Sequence, residues 1–520
     1  MMDKLKMYTP DLTQDNIGKI RDLFPGCVIE AGDDAGNIRL AVDFDKLRQE
    51  LSDHLVEAGQ ERYHLNWPGK REALLAANAP IAKTLRPARD ESVKFDDTKN
   101  IFIEGDNLEA LKLLIENYLR QVKLIYIDPP YNTGNDFVYD DDFEDNIETY
   151  LIKSGQIDIH FDRLVANTES NGRFHSDWLS MMYSRLRLAR ALLNEAGFVF
   201  ISIDVLELSN LIAVGKEVFG HDCCVGVISR ATGTRMGSGS RGIARELDYI
   251  VVFSKSAESN LLGLPMSSDE ISLYDQEDDK GRYLTRSLRR TGGENRREDR
   301  PTMFYAVQSP DGEDVFPVAP EGYESRWVCS KETYKSLVRD GMIEWKKVTR
   351  GGVAKWQVYQ KHYLKSGRKE VSDLWNAGAG NKKATKELSA LFKKVKVFDH
   401  PKPIDLIRRI IQIGTDENKP DIVLDFFAGS GTTGAAVMEQ NAQDGGRRQY
   451  ILVQFPEETG EGTEARKAGF SNISEITKER LRRAGKAIVA SQSHATWNGD
   501  IGFRTLKIDT TQYAGGAFPT

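Results

Sequence analysis

No run in this sequence reaches the roughly 18 uninterrupted apolar residues needed to cross a bilayer. Its first residues, MMDKLKMYTPDLTQDN, lack the apolar core of a secretion signal. A cytoplasmic protein without membrane contact is therefore expected. Cysteine is scarce, four in 520 residues. Cys223 and Cys224 are adjacent, Cys27 and Cys329 stand alone, and there is no C-x-x-C. That excludes a disulfide scaffold, argues against a thiolate metal site, and suits a reducing compartment. Positive charge is short as well: 71 Lys and Arg against 78 Asp and Glu leave a net charge of -7. Such a balance excludes a generic nucleic-acid coat protein but can hide a local basic patch. Internal repeats and long low-complexity tracts are absent. What remains is a globular composition, 40% apolar and 29% charged, with length enough for about three domains.

Residues 1–95 read as mostly helical and polar, a supporting segment broken at Pro25-Gly26 and Trp67-Pro68-Gly69. The stretch 85–100, LRPARDESVKFDDTKN, reads as a solvated connector. From 100 the texture changes. Short apolar runs, NIFIEG (100–105), VKLIYI (122–127), FVFISI (198–203), VGVIS (225–229), DYIVVFS (248–254), DIVLDFF (421–427) and YILVQF (450–455), alternate with helical stretches. One helix is predicted over 177–196, capped by Asp177 and stopped by Gly197. Seven runs, most of them apolar on both faces and interleaved with helices, predict an α/β fold with a mainly parallel sheet covered on both sides. The sequence predicts one half of that domain over 96–256, a second over 396–490, and a tail at 491–520. Between the halves, 257–395 has a different composition and reads as an insert. Residues 281–300 carry seven arginines against three acids, and 331–370 carry eleven Lys and Arg against four acids, interleaved with Trp and Tyr.

Four segments carry chemistry. Asp128-Pro129-Pro130-Tyr131 follows VKLIYI directly, and ligands of open parallel sheets bind beyond the carboxyl ends of strands. Two prolines donate no backbone hydrogen and hold the chain rigid. A carboxylate, a free carbonyl and an aromatic face then suit a planar ring bearing an exocyclic amine: Asp128 and the Pro129 carbonyl accept its N–H groups while Tyr131 stacks. A plain strand-to-loop turn fits these residues equally well. The second segment, Asp425 to Gly434 (DFFAGSGTTG), joins a strand to a helix. Gly429 and Gly431 admit a close backbone approach, and with Gly434 they complete G-x-G-x-x-G. A lysine after the glycines is missing, which excludes a triphosphate P-loop. Asp106, at the end of another strand, is either a helix cap or an acceptor for an amino group. Lys402 lies between two prolines in FDHPKPIDLI (398–407).

Together these segments resemble the amino-methylating DNA methyltransferases. D-P-P-Y resembles their catalytic motif, D-F-F-A-G-S-G their S-adenosylmethionine loop, and H-P-K-P-I-D-L-I the segment that helps hold that cofactor. The catalytic motif comes first, with an insert before the cofactor loop, which is the β-class order. The longer reads DPPYNTGNDFVYDDDF (128–143), HSDWLSMMYSRL (175–186), ILVQFPEE (451–458) and GFRTLKID (502–509) resemble the modification (Mod) subunits of type III restriction–modification systems.

The resemblance implies a Rossmann-like, seven-stranded, circularly permuted methyltransferase sheet that methylates adenine N6 in double-stranded DNA. Cytosine-N4 relatives more often carry Ser at the position of Asp128. By the same resemblance Asp128, Pro129, Pro130 and Tyr131 are catalytic. Asp106, Lys402, Asp425, Phe427, Gly429, Gly431 and Thr432 hold S-adenosylmethionine. Where the family has an acid after the second cofactor strand this chain has Gln454, which passes the ribose contact to Glu457. The basic insert is to bind DNA, through Arg289, Arg290, Arg296, Arg297, Lys346, Lys347 and Arg350. The acidic run 136–148 is expected as a lid, and no metal is implied. Family members continue past the equivalent of GFRTLKID; a homodimer and a restriction (nuclease/helicase) subunit are the further partners implied. An NAD-dependent oxidoreductase using the glycine pattern would leave D-P-P-Y unexplained, and RNA-adenine or cytosine-N4 substrates are separated by the methylated product.

Overall fold

The computed structural model describes residues 12–23, 28–32, 38–42, 44, 47, 65–133, 137–139, 164–166, 174–236, 244–350, 352–376, 380–491 and 493–509. Most of the acidic run 136–148 therefore lies outside the described residues. The chain divides into two compact units, Met1–Leu262 with Val371–Thr520, and Gly263–Glu370. Among the described residues no helix is long and apolar enough to cross a membrane.

The larger unit is built on a ten-stranded sheet. In chain order its strands are β1 (Thr84–Pro87), β2 (Ile101–Glu104), β3 (Val122–Ile127), β4 (Leu193–Ile203), β5 (Cys224–Met236), β6 (Arg245–Ser254), β7 (Leu374–Trp375), β8 (Ile422–Asp425), β9 (Gln449–Gln454) and β10 (Arg504–Asp509). The spatial order is β7-β5-β6-β4-β3-β8-β9-β2-β10-β1. The six strands from β4 to β10 run parallel. β6 is antiparallel to both its neighbours, and β1 closes the far edge antiparallel to β10.

The continuous apolar runs explain this sheet, because alternate residues enter two helical layers. Ile101, Ile103, Ile125, Ile127, Val199 and Ile201 pack in one cluster with residues of α1 (Lys70–Asn78), α2 (Asn107–Tyr118), α3 (Phe174–Leu192) and α4 (Leu208–Phe219). The second layer comprises α5 (Asn381–Leu391), α6 (Ile404–Gly414), α7 (Thr432–Asp444) and α8 (Ile473–Val489). There the helices approach closely: a Cβ on Gly414 would meet Leu124 at 2.9 Å, and one on Gly434 would meet Leu481 at 2.6 Å and Leu452 at 2.9 Å.

All seven predicted runs are strands of this sheet. Five readings need correction. β1 begins one residue before the stretch read as a solvated connector and runs into it, and β10 lies in the expected tail. Charge helps hold β10: its Lys507, like Lys478 of α8, pairs with Glu91 and Glu104, and its Asp509 lies 3.0 Å from Arg86 of β1. The helix expected at 177–196 is α3, which starts three residues earlier and gives way to β4 at Leu193, whose partner is Val122. Residues 371–395, read as part of the insert, belong to the larger unit. The lysine-rich α5 hides an apolar stripe there, and Leu388 and Phe392 pack with Ala465 and Ile476. The N-terminal segment, read as mostly helical, also contains an antiparallel strand pair, Val28–Gly32 with Ile38–Val42.

The smaller unit has a four-stranded antiparallel sheet, in the order Gln276–Asp278, Gly281–Ser287, Val353–Tyr363, Ile343–Arg350. Its core is Leu288, Val307, Trp327 and Val358.

Candidate active site

The two sequence motifs leave neighbouring strands. β3 and β8 pair in parallel, with Leu424 opposite Ile125, so Asp128 and the Asp425–Gly431 turn emerge side by side at the carboxyl edge of the sheet. In chain order these motifs are about 300 residues apart; only the permuted sheet brings them together.

At the first corner the backbone is fixed from behind. The Trp178 indole donates to the Pro130 carbonyl at 2.8 Å. Asn132, buried in a left-handed conformation (φ 59°), donates to the Phe174 carbonyl at 3.1 Å and to Glu207 Oε1 at 2.6 Å. Glu207 is itself fully buried and takes further bonds from His175 and Asn210. The Pro129 carbonyl accepts no hydrogen bond among the described residues. In front, Lys402 Nζ lies 2.6 Å from each Asp128 oxygen and 4.9 Å from the centre of the Tyr131 ring. Lys402, which the resemblance assigned to the cofactor, is thus the partner of the predicted catalytic acid. The Tyr131 hydroxyl is buried and makes no hydrogen bond of normal geometry; burial and then the Asp128 charge raise its pKa well above the usual value. Within electrostatic reach of this pair is Asp248 on β6, buried and 3.2 Å from Arg230. Burial raises its pKa, opposed by the charges of Lys402 and Arg230.

The second corner is bound to its own neighbours. Asp425, expected to face the cofactor, accepts from Thr433 Oγ1 at 2.5 Å and from the Phe427 N–H at 3.0 Å. Burial pushes its pKa up to about 7; those two bonds lower it and the Asp128 charge raises it. Gly429 and Gly431 take positive φ, 50° and 81°. The Gly429 N–H donates to Gln454 Oε1 at 2.7 Å, and Thr477 Oγ1 donates to the Gly429 carbonyl at 2.5 Å. Thr432 and Ser430 each accept from Arg480 Nη1 at 2.7 Å. Arg480 is fully buried without a carboxylate in contact, and burial lowers its pKa to about 10. Phe427 is buried at the mouth of this turn.

Asp106 does cap α2, accepting from the Glu109 N–H at 3.0 Å. Its other oxygen lies 3.7 Å from Arg185, which is fully buried and donates to Asn107 Oδ1 at 2.6 Å. Asn107 in turn donates to the Phe426 carbonyl at 3.0 Å, tying the end of β2 to the glycine corner. Glu457 is half-buried and its carboxylate has no partner among the described residues; burial alone raises its pKa. It is the acid left open beside the glycine corner, so the residues present fit a cofactor carrying a ribose diol.

Sequence reasoning missed Arg185, Arg480, Asn107, Thr477, Asp248 and the grip of Gln454. Only Trp178 and Arg185 had a signal, since both fall in HSDWLSMMYSRL. In the smaller unit, Arg297 is ion-paired with Glu324 at 2.7 Å, Lys347 with Asp311 at 3.0 Å and Lys346 with Glu344 at 3.2 Å. Arg296 covers the Tyr323 ring. Arg289 is half-buried, and Arg290 is exposed without a side-chain partner among the described residues. Arg350 ends the strand Ile343–Arg350.

The chain is similar to several known proteins. Residues 122–459 match a family described as DNA methylase. The chain is 33% identical over 479 residues to the type III restriction-modification enzyme StyLTI Mod subunit of Salmonella typhimurium, spanning 90% of this chain and 69% of that protein. It is 35% identical over 406 residues to the type II methyltransferase M.KpnI of Klebsiella pneumoniae, spanning 74% of this chain and 88% of that one. Among solved structures, the cytosine-N4-specific PvuII DNA methyltransferase aligns over 74% of this chain and 93% of its own, with 13% identity and a TM-score of 0.36.

Proposed function

The chain belongs to the DNA methylase family and is a homologue of the Mod subunits of type III restriction–modification enzymes, and from that membership we propose that it methylates adenine N6 within a specific site in double-stranded DNA. One observation carries the reading: the Asp128 carboxylate and the Pro129 carbonyl, unengaged among the described residues, stand on the turn next to the glycine corner, on neighbouring parallel strands.

The target amine lies inside a duplex, and turning the base out costs a few kcal/mol. Stacking on Tyr131 offsets about 1–3 kcal/mol of that. The N6 lone pair is conjugated into the ring and is a poor nucleophile. Asp128 and the Pro129 carbonyl accept the two N–H groups and turn the lone pair out of the ring plane. They also stabilise the positive charge that grows on nitrogen, an oxyanion hole with the sign reversed. Asp128 is the nearest acceptor for the proton that the alkylated nitrogen sheds. S-adenosylmethionine, when bound, supplies an electrophilic methyl group on a sulfonium. The Gly429–Gly431 turn and Phe427 would hold it, and Glu457 would meet its ribose hydroxyls. The exposed basic residues of Gly263–Glu370 bind the DNA.

The test is product identity. DNA methylated by the purified chain, digested to nucleosides, should yield N6-methyldeoxyadenosine. N4-methyldeoxycytidine, or transfer to RNA alone, overturns the reading. Kinship to Mod subunits implies a homodimer and a partner restriction subunit. The match to 88% of M.KpnI favours a second reading, a methyltransferase acting without a nuclease partner. Affinity capture from cells co-expressing the adjacent open reading frame separates them.

A further inference from the structure

Lys402 occupies what the proposed reaction needs free. Its ammonium reaches both Asp128 oxygens at 2.6 Å, so the carboxylate that should accept from the target amine already accepts from this one. The same nitrogen lies 4.9 Å from the centre of the Tyr131 ring, against the aromatic ring on which the base should stack. An ammonium and an exocyclic amine offer Asp128 the same N–H donors, but only the first brings a charge. Resting on the function proposed above, we propose that Lys402 is a placeholder for the target amine: it holds Asp128 and covers Tyr131 until an adenine displaces it.

Displacement has a cost that the surroundings reduce. The Lys402 side chain is only 10% exposed, so an ammonium leaving Asp128 must not be stranded without a counter-charge. Its main chain cannot follow, because Pro401 and Pro403 flank it and Pro403 is the N-cap of α6. The movement is confined to the flexible side chain. A second buried carboxylate lies within its electrostatic reach: Asp248, whose neighbours are Arg230 at 3.2 Å and Asn381. Lys402 thus has two acids within reach of its charge, one on the reacting turn and one on β6. Moving from Asp128 to Asp248 would empty the adenine position while keeping the ammonium paired. Lys402 is in this account a positioning residue that sets the cost of base entry, with Asp248 as its second station.

The experiment reads base entry without cofactor. The recognition site is first mapped from modified adenines in DNA of cells expressing the chain, and 2-aminopurine is placed next to the target adenine in a duplex of that site. Its fluorescence rises when the adenine beside it leaves the stack. Lys402→Met, which keeps length and removes charge, should raise the cofactor-free enhancement at least threefold. Lys402→Arg should stay at the wild-type level. Asp248→Asn, which removes the second station, should lower it. Lys402→Gln replaces Lys402→Met should the latter melt well below wild type. Enhancement unchanged in the charge-removing variant overturns the proposal. So does a rise in the KM for S-adenosylmethionine with no change in fluorescence, which would assign Lys402 to the cofactor alone. Wild-type chain that methylates no adenine overturns the underlying function instead, which keeps the two failures apart.

Discussion

The Asp128–Tyr131 corner and the Asp425–Gly434 corner leave neighbouring strands of one sheet, yet they use their polar groups in opposite ways. At the glycine corner nearly every polar atom is engaged within the protein. Asp425 serves Thr433 and Phe427, Gly429 serves Gln454 and Thr477, and Ser430 and Thr432 serve Arg480. At the Asp128 corner only the backbone behind the turn is fixed, by Trp178 and Glu207. Among the described residues its reactive face keeps an unengaged carbonyl and a carboxylate whose one clear partner is a lysine side chain. A polar group satisfied by its own fold shapes a site; one held loosely can exchange its partner for a ligand. Motif residues of equal apparent importance therefore divide into those that build the cleft and those that meet the substrate.

The sharpest way to break that division is at Asp128. Charge-assisted hydrogen bonds contribute about 1.5–3 kcal/mol each, so Asp128→Ala should slow single-turnover methylation at least tens-fold. Because Asp128 does not brace the glycine corner, equilibrium binding of labelled S-adenosylmethionine should stay within about twofold of wild type, a small fraction of 1.4 kcal/mol. A parallel loss of both would mean that the two corners are one unit.

The same division accounts for what could be read from the chain alone. The seven strands were legible because most of their runs are apolar on both faces. β10 was not, since Lys507 looks like a surface residue until Glu91 and Glu104 are seen to meet it. The open corner was legible too: an acid, two prolines and an aromatic directly after a strand have few structural uses together. The closed corner was legible only as glycines. Its supports come from afar, Arg480 from 50 residues away and, beside it, Arg185 from 78 residues away from Asn107. A buried arginine in an amphipathic helix looks in sequence like any exposed one. Gln454 was read as a missing acid, whereas its amide oxygen grips the Gly429 N–H.

A smaller effect belongs to Asp425, inside the closed corner. Burial pushes its pKa up to about 7, whereas in the unfolded chain an aspartate titrates near 3.9. Between those values the native state keeps a proton that the unfolded state has lost. Its contribution to stability is therefore full below about pH 4 and declines as pH rises through about 7. The Asp425→Asn variant keeps the shape and has no charge to lose. The melting temperature of wild type relative to this variant should fall between pH 5 and pH 8. A constant difference over that range would show that Asp425 is ionised throughout and free to serve a ligand.

The smallest effects test whether the contrast extends to the basic unit Gly263–Glu370, where counting charge overstates what is available. Arg297 lies 2.7 Å from Glu324 and stacks on Phe304, whereas Arg290 is exposed and its side chain has no partner among the described residues. Both change the net charge equally when removed, so a purely electrostatic surface would not distinguish them. If availability decides, Arg290→Ala should lower the slope of log affinity against log salt by about 0.9, the loss of one phosphate contact. Removing Arg297 alone would also expose the Glu324 charge to the phosphates, so the informative variant deletes both. Exposed ion pairs are worth about 0–1 kcal/mol, and Arg297→Ala with Glu324→Ala should leave stability and the salt slope near wild type. An equal loss of slope in the two variants would return Arg297 to the DNA-binding set and confine the contrast between satisfied and open groups to the catalytic sheet.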